Sequence, residues 1–258
     1  MIRRLALSAT LFLGMVAVLP AAHAVADPSP GLVAVTEVVG DVRAASRITI
    51  LVPGAGVTPD NFREGLGDVT RRAPAHWARW LAAEARDPRV AVVAWLGYLP
   101  PKGASLAVAR GERADVGARE LEAYVAGLTA ANPGATITVV GHSYGSVVVG
   151  HAAAALPASV TDLVFLGSPG TGAHTAADLG GHARVWAGKT GDDWVRRIPN
   201  TTVLGFGHDT DPTDRDFGAR PLPVDGAAGH DGYFVPGTGS LRALAEISTS
   251  GTLTPATH

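Results

Sequence analysis

Gly141-His142-Ser143-Tyr144-Gly145 sets one serine between two glycines. The apolar run Ile137–Val140 leads into it, and a stretch of helical pattern, Ser143–Leu156, follows until Pro157 stops it. A serine at a strand-to-helix turn of this kind can act as a nucleophile. The turn holds it in a strained backbone conformation that pushes the hydroxyl outward, and the residues two before and two after approach closely enough that both must be small. The same turn aims the backbone N–H of Tyr144 at the site, where it can donate to an oxyanion.

A serine nucleophile needs a base, and the base needs an acid to orient it. On a strand–helix scaffold these follow the serine in the order acid, then histidine, on loops after later strands. The short apolar run Val185–Ala187 leads to Gly191-Asp192-Asp193-Trp194-Val195. Asp192, directly after glycine, is the first choice for the acid, and Asp193 is the near alternative. Asp162 stands at the start of a strand and reads as a surface residue. Among nine histidines, His76 and His151 lie on helical stretches. His142 adjoins the nucleophile, so its side chain should point away from the hydroxyl. His174 and His182 precede the acid. His23 falls in the signal pattern and His258 is the last residue of the sequence, so His208 and His230 remain, and His230, in Gly229-His230-Asp231-Gly232, comes after the last strand signal and shortly before the last helix. A second oxyanion donor is expected from Pro53-Gly54-Ala55-Gly56, after the strand Arg47–Val52, where the N–H of Gly54 or Ala55 can approach.

Elements must position these loops. Val33–Val39 and Arg47–Val52 read as strands around a turn at Gly40-Asp41. Pro74–Arg86 has Trp77, Trp80, Leu81 and Ala85 at helical spacing. Val90–Leu96 is apolar throughout, as in a strand buried on both faces. Ala104–Ala131 is helical in pattern with breaks expected at Gly111 and Gly117. Leu163–Leu166 and Val185–Ala187 read as short strands. Ala219–Val224, with two prolines, reads as an edge strand, and Ser240–Ser248 as a closing helix. Strands alternating with helices predict a three-layer α/β domain around a mostly parallel sheet.

Composition bounds the function. The 258 residues are 47% hydrophobic and 17% charged, which suits one globular domain. A net charge of −2 without a basic run gives no case for nucleic acid. There is no cysteine, hence no thiol catalysis, no disulfide and no cysteine-ligated metal. Arg3-Arg4, the apolar Leu5–Leu19 and Ala22-His23-Ala24 form the pattern of a secretory signal over residues 1–24, leaving 25–258 as the domain, with no membrane span after cleavage. Other fragments of motifs fail. Gly188-Lys189-Thr190 has Ala183 where a phosphate loop needs glycine, and Pro59 replaces the third glycine after Gly54-x-Gly56. Asp209, Asp211, Asp214 and Asp216 lack the central glycine and terminal glutamate of a calcium loop and read as a solvated loop. No cofactor and no metal are expected.

Five stretches, VVAWLGYLPP (92–101), VVGHSYGSVV (139–148), VFLGSPG (164–170), DPTDRDFGAR (211–220) and GHDGYF (229–234), resemble a family of secreted or cell-envelope α/β hydrolases of high-GC Gram-positive bacteria catalogued as a domain of unknown function. The resemblance covers nearly all of the chain after the signal. It implies the α/β-hydrolase fold, with Ser143 as nucleophile and His230 as base. Asp192-Asp193 stands where that family has a single Asp followed by Pro, so the acid stays open between the two. The expectation is a serine hydrolase of carboxylic esters, with a small-molecule or lipid-like ester as substrate. The alternatives are acyl transfer to an envelope lipid or glycan, and a non-catalytic envelope protein that kept the fold.

Overall fold

The computed structural model describes residues 35–102, 111–197 and 209–253. The expected signal segment 1–24 and the rival base His208 lie outside the described residues. Among the described residues seven strands form one sheet: β1 (Val35–Val39), β2 (Arg47–Val52), β3 (Val90–Leu96), β4 (Thr136–His142), β5 (Val160–Leu166), β6 (Arg184–Gly188) and β7 (Arg220–Pro221). Their order is β1-β3-β2-β4-β5-β6-β7, with β1 antiparallel to β3 and every other pair parallel. Among the described residues the α-helices are α1 (Pro74–Ala85), α2 (Glu112–Ala131), α3 (Gly145–Ala152) and α4 (Gly239–Ser250). α1 packs on α4 and on β3, and α2 packs on α3, which in turn packs on β4.

The central strands are apolar because both their faces are covered. All seven residues of β3 are buried, as are six of seven in β4. At ~1.5–3 kcal/mol for each fully buried large aliphatic side chain, this layer supplies much of the drive to fold. α1 begins on Pro74, whose missing N–H costs nothing in a first turn, and presents Trp77, Ala78 and Leu81 to the core. α4 is capped by the Thr238 hydroxyl, which accepts from Leu241 N–H at 3.3 Å. Among the described residues no helix is long and apolar enough to cross a membrane.

Several sequence expectations shift. The two strands around the Gly40 turn are not neighbours in the sheet: β3, apolar throughout, lies between them and pairs with both. Gly40 instead lets the chain press on β3, where a Cβ would stand 2.9 Å from the Val90 carbonyl oxygen. Gly111 does begin α2, but Gly117 does not break it: the ring of Tyr98 packs there, 2.9 Å from where a Cβ would be. Asp162 is not a surface residue. It is fully buried, since its place on β5 opposite Arg184 of β6 brings it two guanidinium bonds of 2.7 and 2.6 Å, and Trp186 Nε1 donates at 2.9 Å. Asp211 likewise leaves the solvated loop expected for it, to form a buried ion pair with Lys189 at 2.5 Å.

Candidate active site

The sheet brings two loops together at the point where strand order reverses. β2 lies between β3 and β4, with Val52 in register with Gly141. The chain leaving β2 at Pro53-Gly54 therefore runs beside the chain leaving β4 at His142-Ser143. A crevice at the carboxyl ends of two such strands is where open α/β sheets place their ligands.

Ser143 has φ +55°, a left-handed conformation that costs a non-glycine residue free energy and is kept only when its surroundings enforce it. Its N–H donates to the Leu166 carbonyl of the neighbouring β5 at 3.0 Å. The flanking glycines are needed for two different reasons. A Cβ on Gly141 would stand 2.7 Å from Ser146 Cα and 2.8 Å from the Gly145 carbonyl oxygen, so the turn itself has no room. A Cβ on Gly145 would collide with the carbonyl oxygen of Val52, so there the obstacle is the neighbouring strand. Gly54 closes on the same turn from the other side, where a Cβ would lie 2.6 Å from Ser143 Cβ and 2.9 Å from Tyr144 N. Ser143, Tyr144, Gly54 and Ala55 all line one cavity of about 470 Å³, which His142 and His230 also line. Its other walls are largely apolar, among them Val57, Leu66, Trp77, Pro169, Trp194 and Val195.

The loops after β6 and β7 supply the remaining groups. His230 Nδ1 lies 2.9 and 3.0 Å from the two carboxylate oxygens of Asp193. Asp193 is 2% exposed and His230 9%. Burial by itself would raise the Asp193 pKa, but hydrogen bonds from His230 and Tyr233 and the nearby histidine charge outweigh it and hold the carboxyl down at about 2. Tyr233 Oη donates to Asp193 Oδ2 at 2.5 Å, and Val195 N–H donates to Oδ1 at 2.9 Å. Asp192, the first choice from sequence, does not reach His230. Its exposed carboxylate accepts from Gly229 N–H at 2.9 Å, which holds it below the ordinary carboxylate range and fastens the histidine loop instead of the ring. The physical reason is the turn after β6, which sends the first of the two side chains outward and the second inward.

The two loops are joined at further points. Thr190 Oγ1 donates to the Gly229 carbonyl at 3.0 Å, and Thr190 N–H donates to Tyr233 Oη at 3.1 Å. Gly167, at the exit of β5 with φ +54°, leaves room beneath them: a Cβ there would stand 2.8 Å from Asp193 Oδ2 and 3.1 Å from His230 Nδ1.

Sequence reasoning missed Tyr233, Gly167 and His142. Tyr233 sits within GHDGYF and Gly167 within VFLGSPG, so each stood in a quoted stretch without a role. His142 does not stand clear of the site: it lines the cavity, and its ring centroid lies 4.8 Å from that of His230. Trp194 approaches His230 at the same distance. Arg72 and Asp231 form a 2.6 Å ion pair at the cavity. Among the described residues no cluster of His, Asp and Glu is arranged to hold a metal ion.

With this geometry established, the similarities are informative. "Uncharacterized protein Rv2079" of Mycobacterium tuberculosis is 31% identical over 247 residues, covering 82% of this chain and 36% of that protein. "Uncharacterized protein Mb0988c" of Mycobacterium bovis is 34% identical over 191 residues, covering 69% of this chain and 68% of that one. The chain thus spans only about a third of the length of the first of these relatives. Among solved structures, that of esterase PE8 superposes with a TM-score of 0.54 at 18% identity, covering 83% of this chain and 97% of that one, a likeness of fold. The family described as alpha/beta hydrolase matches residues 27–203, and the chain belongs to it.

Proposed function

We propose that the protein is a serine hydrolase that cleaves carboxylic esters through Ser143, His230 and Asp193. The observation that carries this reading is the pairing of His230 Nδ1 with both oxygens of a buried Asp193, on the cavity into which the strained Ser143 turns. The Asp193 carboxylate fixes the Nδ1–H tautomer, leaving the Nε2 lone pair as base. Nε2 takes the proton of the Ser143 hydroxyl as Oγ bonds to the ester carbonyl carbon. The carbonyl π pair moves onto oxygen, where the N–H groups of Tyr144 and of Gly54 or Ala55 receive it. Collapse expels the alcohol, protonated by His230. Water, activated by the same histidine, then releases the acid and restores Ser143. The largely apolar walls favour an uncharged acyl group, and the signal pattern of residues 1–24 supports export to the envelope or beyond.

The test is a panel of p-nitrophenyl esters of rising chain length, run with labelling by a fluorophosphonate probe. Turnover with a chain-length optimum and stoichiometric labelling support the reading. A folded protein that neither turns over any ester nor takes the probe is a non-catalytic relative.

A further inference from the structure

We propose that His142 is a positioning residue for His230: its Nε2–H holds the backbone carbonyl of the base, and thereby ties the nucleophile strand to the loop that carries the histidine. This rests on the hydrolase reading of the same site.

His230 lies in a loop that doubles back on itself, so tightly that a Cβ on Gly232 would stand 2.5 Å from the backbone nitrogen and oxygen of Ala228. Such a turn leaves backbone groups that no regular ladder satisfies, and a buried carbonyl needs a donor. The donor here is a side chain: His142 Nε2 stands 2.7 Å from the His230 oxygen. A carbonyl only accepts, so Nε2 carries the proton and the tautomer of His142 is fixed.

The holder is itself held. Trp77 and Phe234 meet the His142 ring edge-on with centroids 5.2 and 6.0 Å apart, and the tilted ring of Tyr233 lies at 5.7 Å. Trp77 and Phe234 stack on each other at 4.5 Å. A ring fixed on three sides has little rotamer freedom to lose, so it transmits the position of β4 to the base loop rigidly. His142 and Ser143 are consecutive residues. The element that aims the nucleophile therefore also sets the height of the imidazole that must deprotonate it. Burial, followed by the neighbouring His230 charge, lowers the His142 pKa to about 4, so the ring stays neutral beside a base that becomes cationic during the reaction.

Asp193 fixes the His230 ring from the Nδ1 side, and His142 fixes its main chain. A carboxylate bond alone leaves the ring free to pivot with its turn, and displacements of about 1 Å at a reacting group can cost on the order of 100-fold in rate.

The experiment compares His142→Phe, which keeps a flat ring and loses the donor, with His142→Gln, whose amide N–H can reach the same carbonyl. His151→Phe, on α3 and paired with Asp115 away from the cavity, is the control. Each is checked by thermal melt and assayed on a short-chain ester and by fluorophosphonate inactivation rate. His142→Phe is expected to lose about 10- to 100-fold in both kcat and inactivation rate with KM within about twofold, His142→Gln to recover most of that loss, and His151→Phe to match wild type. If His142→Phe is inactivated at the wild-type rate, or if His142→Gln is as impaired as His142→Phe while both are folded, the assignment is wrong. If His142→Phe does not fold, His142→Gln and His142→Asn decide: a kcat that does not follow the reach of the amide donor overturns it. A wild-type protein that takes no probe overturns the hydrolase reading and this role together.

Discussion

The hydroxyl of Tyr233 stands 2.5 Å from Asp193 Oδ2 while accepting the Thr190 N–H at 3.1 Å. One phenol thus joins the carboxylate that orients His230 to the backbone of its own loop, three residues from the histidine in sequence. Burial and the adjoining carboxylate push the phenol pKa up, so it remains a donor throughout the accessible pH range. Tyr233→Phe removes the donor and orphans a buried N–H. Stability should fall by about 1–3 kcal/mol, and kcat about tenfold, the equivalent of about 1.4 kcal/mol in the barrier. Urea unfolding together with ester kinetics measures both, and an unchanged kcat would mean that Asp193 is held well enough without the phenol.

The two adjacent aspartates should separate cleanly. Asp193→Asn keeps the shape but offers an amide donor where His230 Nδ1–H needs an acceptor, favouring the wrong tautomer. The loss in kcat is expected to be on the order of 10⁴, the scale seen for this exchange in a well-characterised triad. Asp192→Asn retains an oxygen for Gly229 N–H and should stay within a few-fold of wild type. Steady-state kinetics on the two purified variants gives the answer, and a dead Asp192→Asn beside an active Asp193→Asn would reverse the assignment.

Gly54→Ala tests the oxyanion role proposed for its loop. The new methyl would stand 2.6 Å from Ser143 Cβ and 2.9 Å from Tyr144 N, so either the loop or the turn must move away. Losing one oxyanion donor costs about 10²–10³ in kcat, and at least that loss is expected, with substrate binding less affected. Retained activity would show that the donor does not come from this loop.

His142 makes stability depend on acidity in a defined window. Its folded pKa of about 4 lies below the unfolded reference of about 6.5. Between these values the unfolded chain binds a proton that the folded one refuses, so this contribution is fully present above about pH 6.5 and is lost as pH falls to about 4. Burial first and then the His230 charge oppose the charged ring, while the bond to the His230 carbonyl, Asp231 and Asp193 favour it. The contribution is on the order of 3 kcal/mol. Denaturant melts of wild type and His142→Phe should converge in their pH slopes above pH 6.5 and diverge below it; parallel slopes throughout would refute the shifted histidine.

The sequence made the layout legible where one local rule sufficed. The all-apolar β3 and the glycine-flanked serine at the tight turn after β4 follow from periodicity and turn chemistry, and the chain folds accordingly. What stayed hidden depends on direction and on pairing. Two consecutive aspartates differ only in which way the turn after β6 points them, and nothing in Gly191-Asp192-Asp193 encodes that. Asp162 and Asp211 look solvated in one dimension and are buried with a cationic partner, Arg184 from the neighbouring strand for the first and Lys189 just past the end of β6 for the second. β1 and β2 follow each other around a turn, yet they lie on opposite sides of β3, which arrives later in the chain, and nothing local in the sequence encodes that order. His142 looks incidental until the loop 88 residues away supplies the carbonyl it holds.

The most direct measurement of the central claim is mass spectrometry after fluorophosphonate labelling of wild type and Ser143→Ala, with ester turnover recorded on the same samples. The account predicts one adduct per chain, on the peptide containing Ser143, with no adduct and about 10⁶-fold lower kcat in folded Ser143→Ala. An adduct on another residue, or a Ser143→Ala protein that labels and turns over like wild type, would contradict it.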